Sequence, residues 1–407
     1  MNRHGPPRPL GKLPNLQRTM LVSSALEALS YGAVAPFILL YLHFSLGFPT
    51  FLAGFAFGFA GIVSLCASLA GGVLQDLLGD SKVFALATIL ESLGLVVLGV
   101  SQSVLPIFAG FSLIGLSSIK YSARNSFLTN ALRGRYSAEK FFSYEFMAIN
   151  AGFGVGAFLG ALIANPHSKT QFALVLFASA CLVALTSIPF FIAKATPRER
   201  DSDRKVSYIL ALKDVKLRRL LTYNFLLNFA SYGSFEAGFP AFVGLEMRKS
   251  PHIMAVAFVV NPIAIVLLQH QAYRLGTKIG TRTQMVLTAL AFSSAWIFLL
   301  SISDVTSKFL SVIFMGVFGL LFAVGEMLYS PIRAPLIDSI AAKDMRSRYF
   351  GLSHFARASS ELTGPPVAGY AIGFGIGYVW VGAIAAVGLL AALSAQAFDK
   401  VAHSNHR

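Results

Sequence analysis

The chain has 407 residues, 55% hydrophobic and only 13% charged, with a mean hydropathy of +0.67. Soluble domains carry about 25% charged residues, so this balance excludes a water-soluble globule and defines a membrane protein. The formal net charge of +15 would suit nucleic acid, but the charges gather at the ends of apolar runs, and that placement excludes it.

Residues 1–17 are basic and Pro-rich without an apolar core, which predicts a flexible tail and no cleaved signal peptide. Apolar runs of about 20 residues, the length that crosses a bilayer, then recur to the end of the chain. Twelve spans are expected, near 18–42, 50–73, 83–101, 105–130, 141–164, 171–193, 219–244, 252–272, 283–302, 309–332, 349–372 and 377–398. With the N-terminus inside, the cytoplasmic segments hold 25 of the 33 Lys and Arg, and the opposite side holds only Lys169, Arg248, Lys249 and Lys308. That bias is the positive-inside rule, and an even number of spans brings the C-terminal tail, 399–407, back to the same side.

Between spans 2 and 3 a polar hinge, 72–82, carries Gly72, Leu74, Asp76, Gly79 and Lys82. This spacing resembles the loop between helices 2 and 3 of the major facilitator superfamily, although Leu77, Asp80 and Ser81 stand where that family usually has basic residues. The resemblance implies two parallel six-helix bundles, and a gating loop in which Asp76 latches one face of the protein against the positive end of a neighbouring helix. A plain solvated turn is the other reading. The chain's internal repeat agrees with the family's arrangement. Segment 273–282 echoes the hinge about 201 residues on, with Gly280 answering Gly79. Leu128, Asn130 and Phe142 answer Leu336, Asp338 and Phe350 at an offset of 208, and Pro36 answers Pro240. The bundles are therefore expected at 18–193 and 219–398, joined by a linker, 194–218, whose second part (206–217) is an amphipathic helix for the cytoplasmic interface.

Span 5 spaces Gly152, Gly156 and Gly160 by four, a face for close helix contact. Drug/proton antiporters of the family usually carry a Gly-Pro pair in this helix. Here Gly156 is followed by Ala157, and a Gly364-Pro365-Pro366 sequence lies instead in span 11. Cys66 and Cys181 fall in apolar runs and are expected to be small buried hydrophobes, not a disulfide or metal site.

Ionisable residues inside spans cost roughly 2.5–3.5 kcal/mol each on insertion scales, so each invites a functional reading. Six glutamates, Glu27, Glu91, Glu145, Glu236, Glu326 and Glu361, face Lys120, Arg124, Arg333 and Arg357. Glu27 and Arg124 reach similar depths and are expected to meet across the central cavity. Lys120 lies one turn from Arg124, and like charges at that spacing repel, so Glu27, Glu91 or an anionic substrate must face them. Glu27 then has two readings: the protonatable group of a proton-coupled cycle governed by Arg124, or half of a static salt bridge. Glu91 is expected on a peripheral helix and Glu145 snorkelling at the edge. A network of Arg357 with Glu326 and Glu361 is expected in the second half. The cavity lining is expected to include Tyr31, Tyr121, Asn125, Asn224, Asn228, Tyr232, Glu236 and Tyr329, a surface for a small amphipathic solute.

No phosphate-binding Gly loop appears, the histidines are scattered, and no cofactor, metal or enzyme chemistry is expected. The expectation is an all-α secondary transporter of the plasma (inner) membrane, both termini cytoplasmic, whose partners are a small-molecule substrate, protons and the lipid bilayer. It is expected to be monomeric and to export an amphipathic molecule in exchange for protons. An importer or facilitator of an anion, or a non-transporting sensor or scaffold of the same fold, is the alternative.

Overall fold

The structure is a computed structural model. It describes residues 15–132, 138–192, 208–302, 305–341 and 346–402; at some helical positions, Gly72, Asp76, Asn125 and Asp338 among them, only the backbone is described. Among the described residues the regular structure is entirely helical. The first half runs α1 (Asn15–Phe44), α2 (Thr50–Leu78), α3 (Asp80–Val100), α4 (Val104–Ser117), α5 (Ile119–Leu132), α6 (Ala138–Ile163) and α7 (Lys169–Ile192). A short α8 (Tyr208–Leu212) follows, then the second half: α9 (Val215–Ala230), α10 (Tyr232–Phe235), α11 (Gly238–Ala241), a π turn (Phe242–Glu246), α12 (Pro251–Ile279), α13 (Thr281–Leu300), α14 (Lys308–Ile340), α15 (Arg346–Gly373) and α16 (Gly377–Ala402). Expected span 4 is thus two helices that meet at Ser118.

Ten described helical segments are long and apolar enough to cross a membrane. The two expected spans outside that group are the most polar. Span 11 is the continuous helix α15, which keeps Pro365 and Pro366 inside it. Their missing N–H groups leave the carbonyls of Glu361 and Leu362 without a helical donor, and Gly58 of α2 approaches that face, against Leu362 O and the Pro366 ring. Span 7 is broken. α9 ends at Ser231, whose φ of −109° and ψ of −104° leave the helical region, and short turns continue past Gly233, Gly238 and Pro240. The break brings two backbones together, since a Cβ on Gly364 of α15 would land on the carbonyl oxygen of Gly233.

The expected polar hinge is not a loop. α2 runs helically to Leu78, and a single residue, Gly79 (φ 82°, ψ 151°), turns the chain into α3. Gly280 makes the same turn between α12 and α13 with φ 75° and ψ 155°. Positive φ at this pair is glycine territory, so the repeat seen in the sequence is a repeat of backbone conformation. The amphipathic helix expected over 206–217 is also shorter. It ends at Leu212, and Asp214 then caps α9 by accepting from Lys216 N at 2.8 Å, so Leu217 belongs to the next helix. Cys66 and Cys181 are free and exposed rather than buried; in a membrane-spanning bundle an exposed apolar face is the ordinary outer surface.

The glycine face of α6 packs on α1 as its spacing predicts. A Cβ on Gly152 or Gly156 would land on the carbonyl oxygen of Ala25 or Leu29, and one on Gly160 would lie 2.7 Å from that of Ala33. The halves meet along two seams, α2 with α15 and α6 with α12. On the first seam Gly54 and Gly58 face Pro365 and Pro366, and Gly369 faces Thr50. All of these lie toward the end of the bundle remote from the Gly79 and Gly280 turns. Nearer those turns the neighbours of α2 change, and Gly71 faces Ile119 and Ser122 of its own half. The α2–α15 seam is thus closed at the far end.

Candidate functional site

Two charged groups, one in each half, border a cavity between them. The first is assembled from five helices. Lys120 and Arg124, four residues apart on α5, share a face and point at carboxylates from three other helices. Lys120 Nζ pairs with Glu91 of α3 and, at 3.3 Å, with Glu27 of α1. Arg124 pairs with Glu145 of α6, donates to Ser24 Oγ, and lies 3.7 Å from Glu27. Thr186 of α7 adds a donor to Glu27 at 3.4 Å. Both cations are buried, Lys120 at 2% exposure and Arg124 at 7%. Repulsion between them is offset because three acids surround two bases.

The expected meeting of Glu27 with Arg124 is present, but Lys120 is the closer partner of Glu27. Two expectations need correction. Glu91 is not peripheral: it holds Lys120 and lines the cavity. Glu145 does not snorkel: it is 6% exposed and anchors Arg124. Its depth in the sequence was a poor guide because α6 leans on α1 along the glycine face, which carries Glu145 inward. Ser24 and Thr186, which complete the group, carry no sequence signal that separates them from other helix hydroxyls.

The cavity has a volume of about 220 Å³. Tyr31, Val34 and Ile38 of α1, Phe57 and Ser64 of α2, Glu91, Tyr121 of α5, Glu236 and Glu361 line it. Tyr31 donates to Glu236 Oε2 at 2.6 Å, a hydrogen bond that joins the two halves across the cavity. Tyr121 lies with its ring against Lys120, 5.2 Å from Nζ to centroid, and is itself exposed. The rest of the lining is mostly apolar and aromatic with a few serines, among them Ser30 and Ser118, so the wall suits an amphipathic molecule.

In the second half Arg357 Nε pairs with Glu361 one turn on at 2.7 Å, and its guanidinium sits 4.6 Å from the Tyr232 ring. Glu326 reaches that group through Tyr232: it hydrogen-bonds the tyrosine whose ring lies against Arg357, and it accepts from Asn261 Nδ2 of α12 at 2.6 Å. Asn261 was missed, yet an amide in an apolar run is a signal, since a buried amide needs a partner. Asn224 is buried rather than presented to the cavity: it donates to Ser353 Oγ at 2.7 Å and accepts from Tyr329 at 3.0 Å, tying α9, α14 and α15 together. Asn228 and Tyr329 line a smaller pocket of about 70 Å³ with Arg333, Ser353, His354 and Arg357. Of the expected gating residues, Gly79 forms the turn and Lys82 is exposed. Only the backbone is described at Gly72, Asp76 and Asn125, so the latch and the Asn125 contact lie outside the described residues.

The family model that describes the Major Facilitator Superfamily matches residues 20–261, so the chain belongs to that superfamily of membrane transporters. It is 25% identical over 335 residues to the uncharacterized MFS-type transporter YdeE of Escherichia coli (strain K12), covering 81% of this chain and 82% of that protein. It is 24% identical over 342 residues to the multidrug resistance protein MdtH of Proteus mirabilis (strain HI4320), covering 83% and 82%. Among solved structures it resembles the nucleoside transporter NupG, with a TM-score of 0.74 at 14% identity over 95% of this chain and 100% of that one. It also resembles the peptide transporter POT in complex with sulfate, with a TM-score of 0.75 at 17% identity over 97% and 96%. Membership of the superfamily makes the chain a multi-pass membrane transporter, and the structural likenesses show the fold.

Proposed function

We propose that the chain is a proton-coupled antiporter that exports a small amphipathic organic molecule by alternating access. On this reading α15 and the broken α9–π-turn segment also cross the bilayer, giving twelve spans in bundles 18–193 and 219–398. It works as a monomer in the plasma (inner) membrane with both termini cytoplasmic, and it has no enzymatic role and no nucleic-acid partner. The cytoplasmic face then carries the Gly79 and Gly280 turns, and the far-end α2–α15 contacts close the outer side.

The observation that carries the reading is the charge count of the buried group. Among the described residues, Glu27, Glu91 and Glu145 against Lys120 and Arg124 leave one negative charge in excess, and an uncompensated buried charge is costly. One proton on the group removes it. Glu91 is the carboxylate that faces the cavity, so it is the natural port, and Lys120 and Arg124 relay the change to Glu27 and Glu145 on the two helices packed along the glycine face. A proton taken up from one side thereby biases how α1, α3, α5 and α6 sit together, which is what a rocking bundle needs. Phosphate chemistry has no place in this scheme. The multidrug designation of MdtH supports an amphipathic organic cargo. The three glutamates occupy Lys120 and Arg124, which speaks against an anion bound at those two residues.

The test is proton flux in proteoliposomes on addition of candidate substrates. Antiport alkalinises the acidic side, a facilitator moves solute without protons, and a sensor or scaffold moves neither. Glu91→Gln should uncouple solute movement from the pH gradient while the protein folds normally; full coupling in both Glu91→Gln and Glu27→Gln would refute the assignment.

A further inference from the structure

The internal repeat relates the two charged groups to each other. At the offset that joins Leu128 to Leu336, Tyr121 answers Tyr329, and Arg333 falls one residue from the counterpart of Arg124. The three carboxylates have no counterparts. Glu145 answers Ser353 at the offset of 208, Glu27 answers Ser231 at the offset that joins Pro36 to Pro240, and Glu91 answers Phe292 at the offset of the hinge glycines. At these three positions the second half carries no acid, while an arginine stands one residue from the counterpart of Arg124.

The structure shows the consequence. Among the described residues no carboxylate lies within ion-pair distance of Arg333. It lines the 70 Å³ pocket with Arg357, whose own carboxylate Glu361 binds through Nε only, and with His354. Asn228, 2% exposed, also lines that pocket, and its Oδ1 has no hydrogen-bond partner while its Nδ2 is held by Asn224 O at 2.6 Å. Two guanidinium groups and an idle buried acceptor describe the complement of a group that accepts from arginine and offers one donor beside it. The pocket is too small for a whole solute and has room for a head group. It adjoins the 220 Å³ cavity through a single ion pair, since Arg357 lines the one and Glu361 the other.

We infer that this pocket binds the acidic head group, a carboxylate, of an amphipathic substrate whose apolar body lies in the cavity beside Tyr31, Phe57 and Tyr121. Arg333 is the specificity-determining residue, Arg357 a second donor, and Asn228 accepts from a hydroxyl or N–H next to the acid. The identification of the acid as cargo rests on the transporter reading; its binding does not.

Binding is measured by calorimetry on the full chain in lipid nanodiscs, without a gradient. The probes are three aromatic acids (benzoate, indole-3-acetate and 1-naphthylacetate), their amides, and tryptamine. Acids should bind at least tenfold more tightly than their amides, and tryptamine should not share the site. Arg333→Gln should weaken the acids about ten- to hundredfold, the loss of a charge-assisted contact, and leave the amides unchanged, while Arg333→Lys recovers part of the loss. Equal affinity of acid and amide, no binding by any of the acids, or undiminished acid binding in Arg333→Gln overturns the inference. If Arg333→Gln does not fold, the acid–amide contrast in the wild-type protein and the effect of Arg333→Lys decide. Failure here leaves proton-coupled flux of neutral solutes intact, whereas acid-selective binding without proton flux sinks the antiport reading instead.

Discussion

Replacing Lys120 with Met tests whether the buried charge group acts as a unit. At an effective dielectric constant of about 20, opposite charges at the 3.3 Å separation of Lys120 and Glu27 attract by roughly 5 kcal/mol. Withdrawing each ion from water costs several kcal/mol, so the intact pair is nearly neutral for stability. The deletion is not neutral. Lys120→Met leaves Glu27 and Glu91 facing one another, with Thr186 at 3.4 Å and Arg124 at 3.7 Å still near Glu27 and no cation of the group to hold Glu91. Removing one member of a buried pair typically costs about 3–5 kcal/mol. Glu91→Gln behaves differently, because Lys120 keeps Glu27 and the group loses its excess charge; its cost should stay below about 1 kcal/mol. The double variant Lys120→Met/Glu91→Gln returns to the wild-type charge balance and should recover about half of the Lys120→Met loss. Unfolding free energies of the four proteins in mixed bicelles form a cycle that isolates the coupling. A Lys120→Met protein as stable as wild type, or a double variant whose loss is the sum of the two single losses, would refute the reasoning.

Gly156→Ala should destabilise the α1–α6 contact by about 1–3 kcal/mol, because the new methyl meets the Leu29 carbonyl and both backbones must part. Gly382→Ala, with nothing within 4 Å of the added carbon, should be neutral or gain up to about 1 kcal/mol of helix propensity; equal melting shifts for the two would contradict the packing. Tyr31→Phe removes the hydrogen bond to Glu236 that joins the halves and should shift the population away from the far-end-closed state about tenfold or more, as expected for a charge-assisted bond. Distances between spin labels on α2 and α15 read this shift, and an unchanged distribution would deny the bond a gating role. Asn224→Ala should cost about 1–3 kcal/mol by stranding Ser353 and Tyr329, while transport per folded molecule holds; a selective loss of substrate binding would return Asn224 to the cavity wall.

The apolar runs, the glycine face of α6 and the Gly79–Gly280 repeat were legible because each depends on local spacing. Helix period and span length fix which residues share a face, and positive φ selects glycine wherever the turn recurs. Residue depth was less reliable. Glu145 sits near the end of its run yet is buried, because close packing of α6 on α1 moves it inward, and no count along one helix contains that movement. Asn224, expected on the cavity wall, instead satisfies a neutral donor and acceptor on neighbouring helices, and Glu326 reaches the Arg357 group through Tyr232 and Asn261. Pairing among side chains of similar depth is decided by helix rotation, and the sequence of one helix does not contain the rotation of the next. The two expected spans that fall outside the ten apolar ones illustrate the same point. The polarity of α15 and the breaks after α9 weaken their membrane signature because these segments hold Tyr232, Glu236, Arg357 and Glu361 beside the cavity.

The halves share a backbone plan and diverge in their charges, and the divergence bears on mechanism. In the first half, acids and bases neutralise one another within the protein, and all three glutamates there are held by a lysine, an arginine or both. On the proposed reading such a group responds to a proton and has little left to offer a solute. In the second half the carboxylates of Glu236 and Glu326 are held by the neutral groups of Tyr31 and Asn261, and Arg333 faces a pocket with no acid among its described lining residues. Such a group responds to what enters the cavity. Tyr31 lies where the two meet, on the helix that carries Glu27 and bonded to Glu236 of the other half. A change in the first group that moves α1 therefore pulls on the second through one hydrogen bond, and a solute that displaces Tyr31 from Glu236 acts in reverse. Coupling by this route requires no long chain of contacts: Glu27 and Tyr31 lie one helical turn apart on α1.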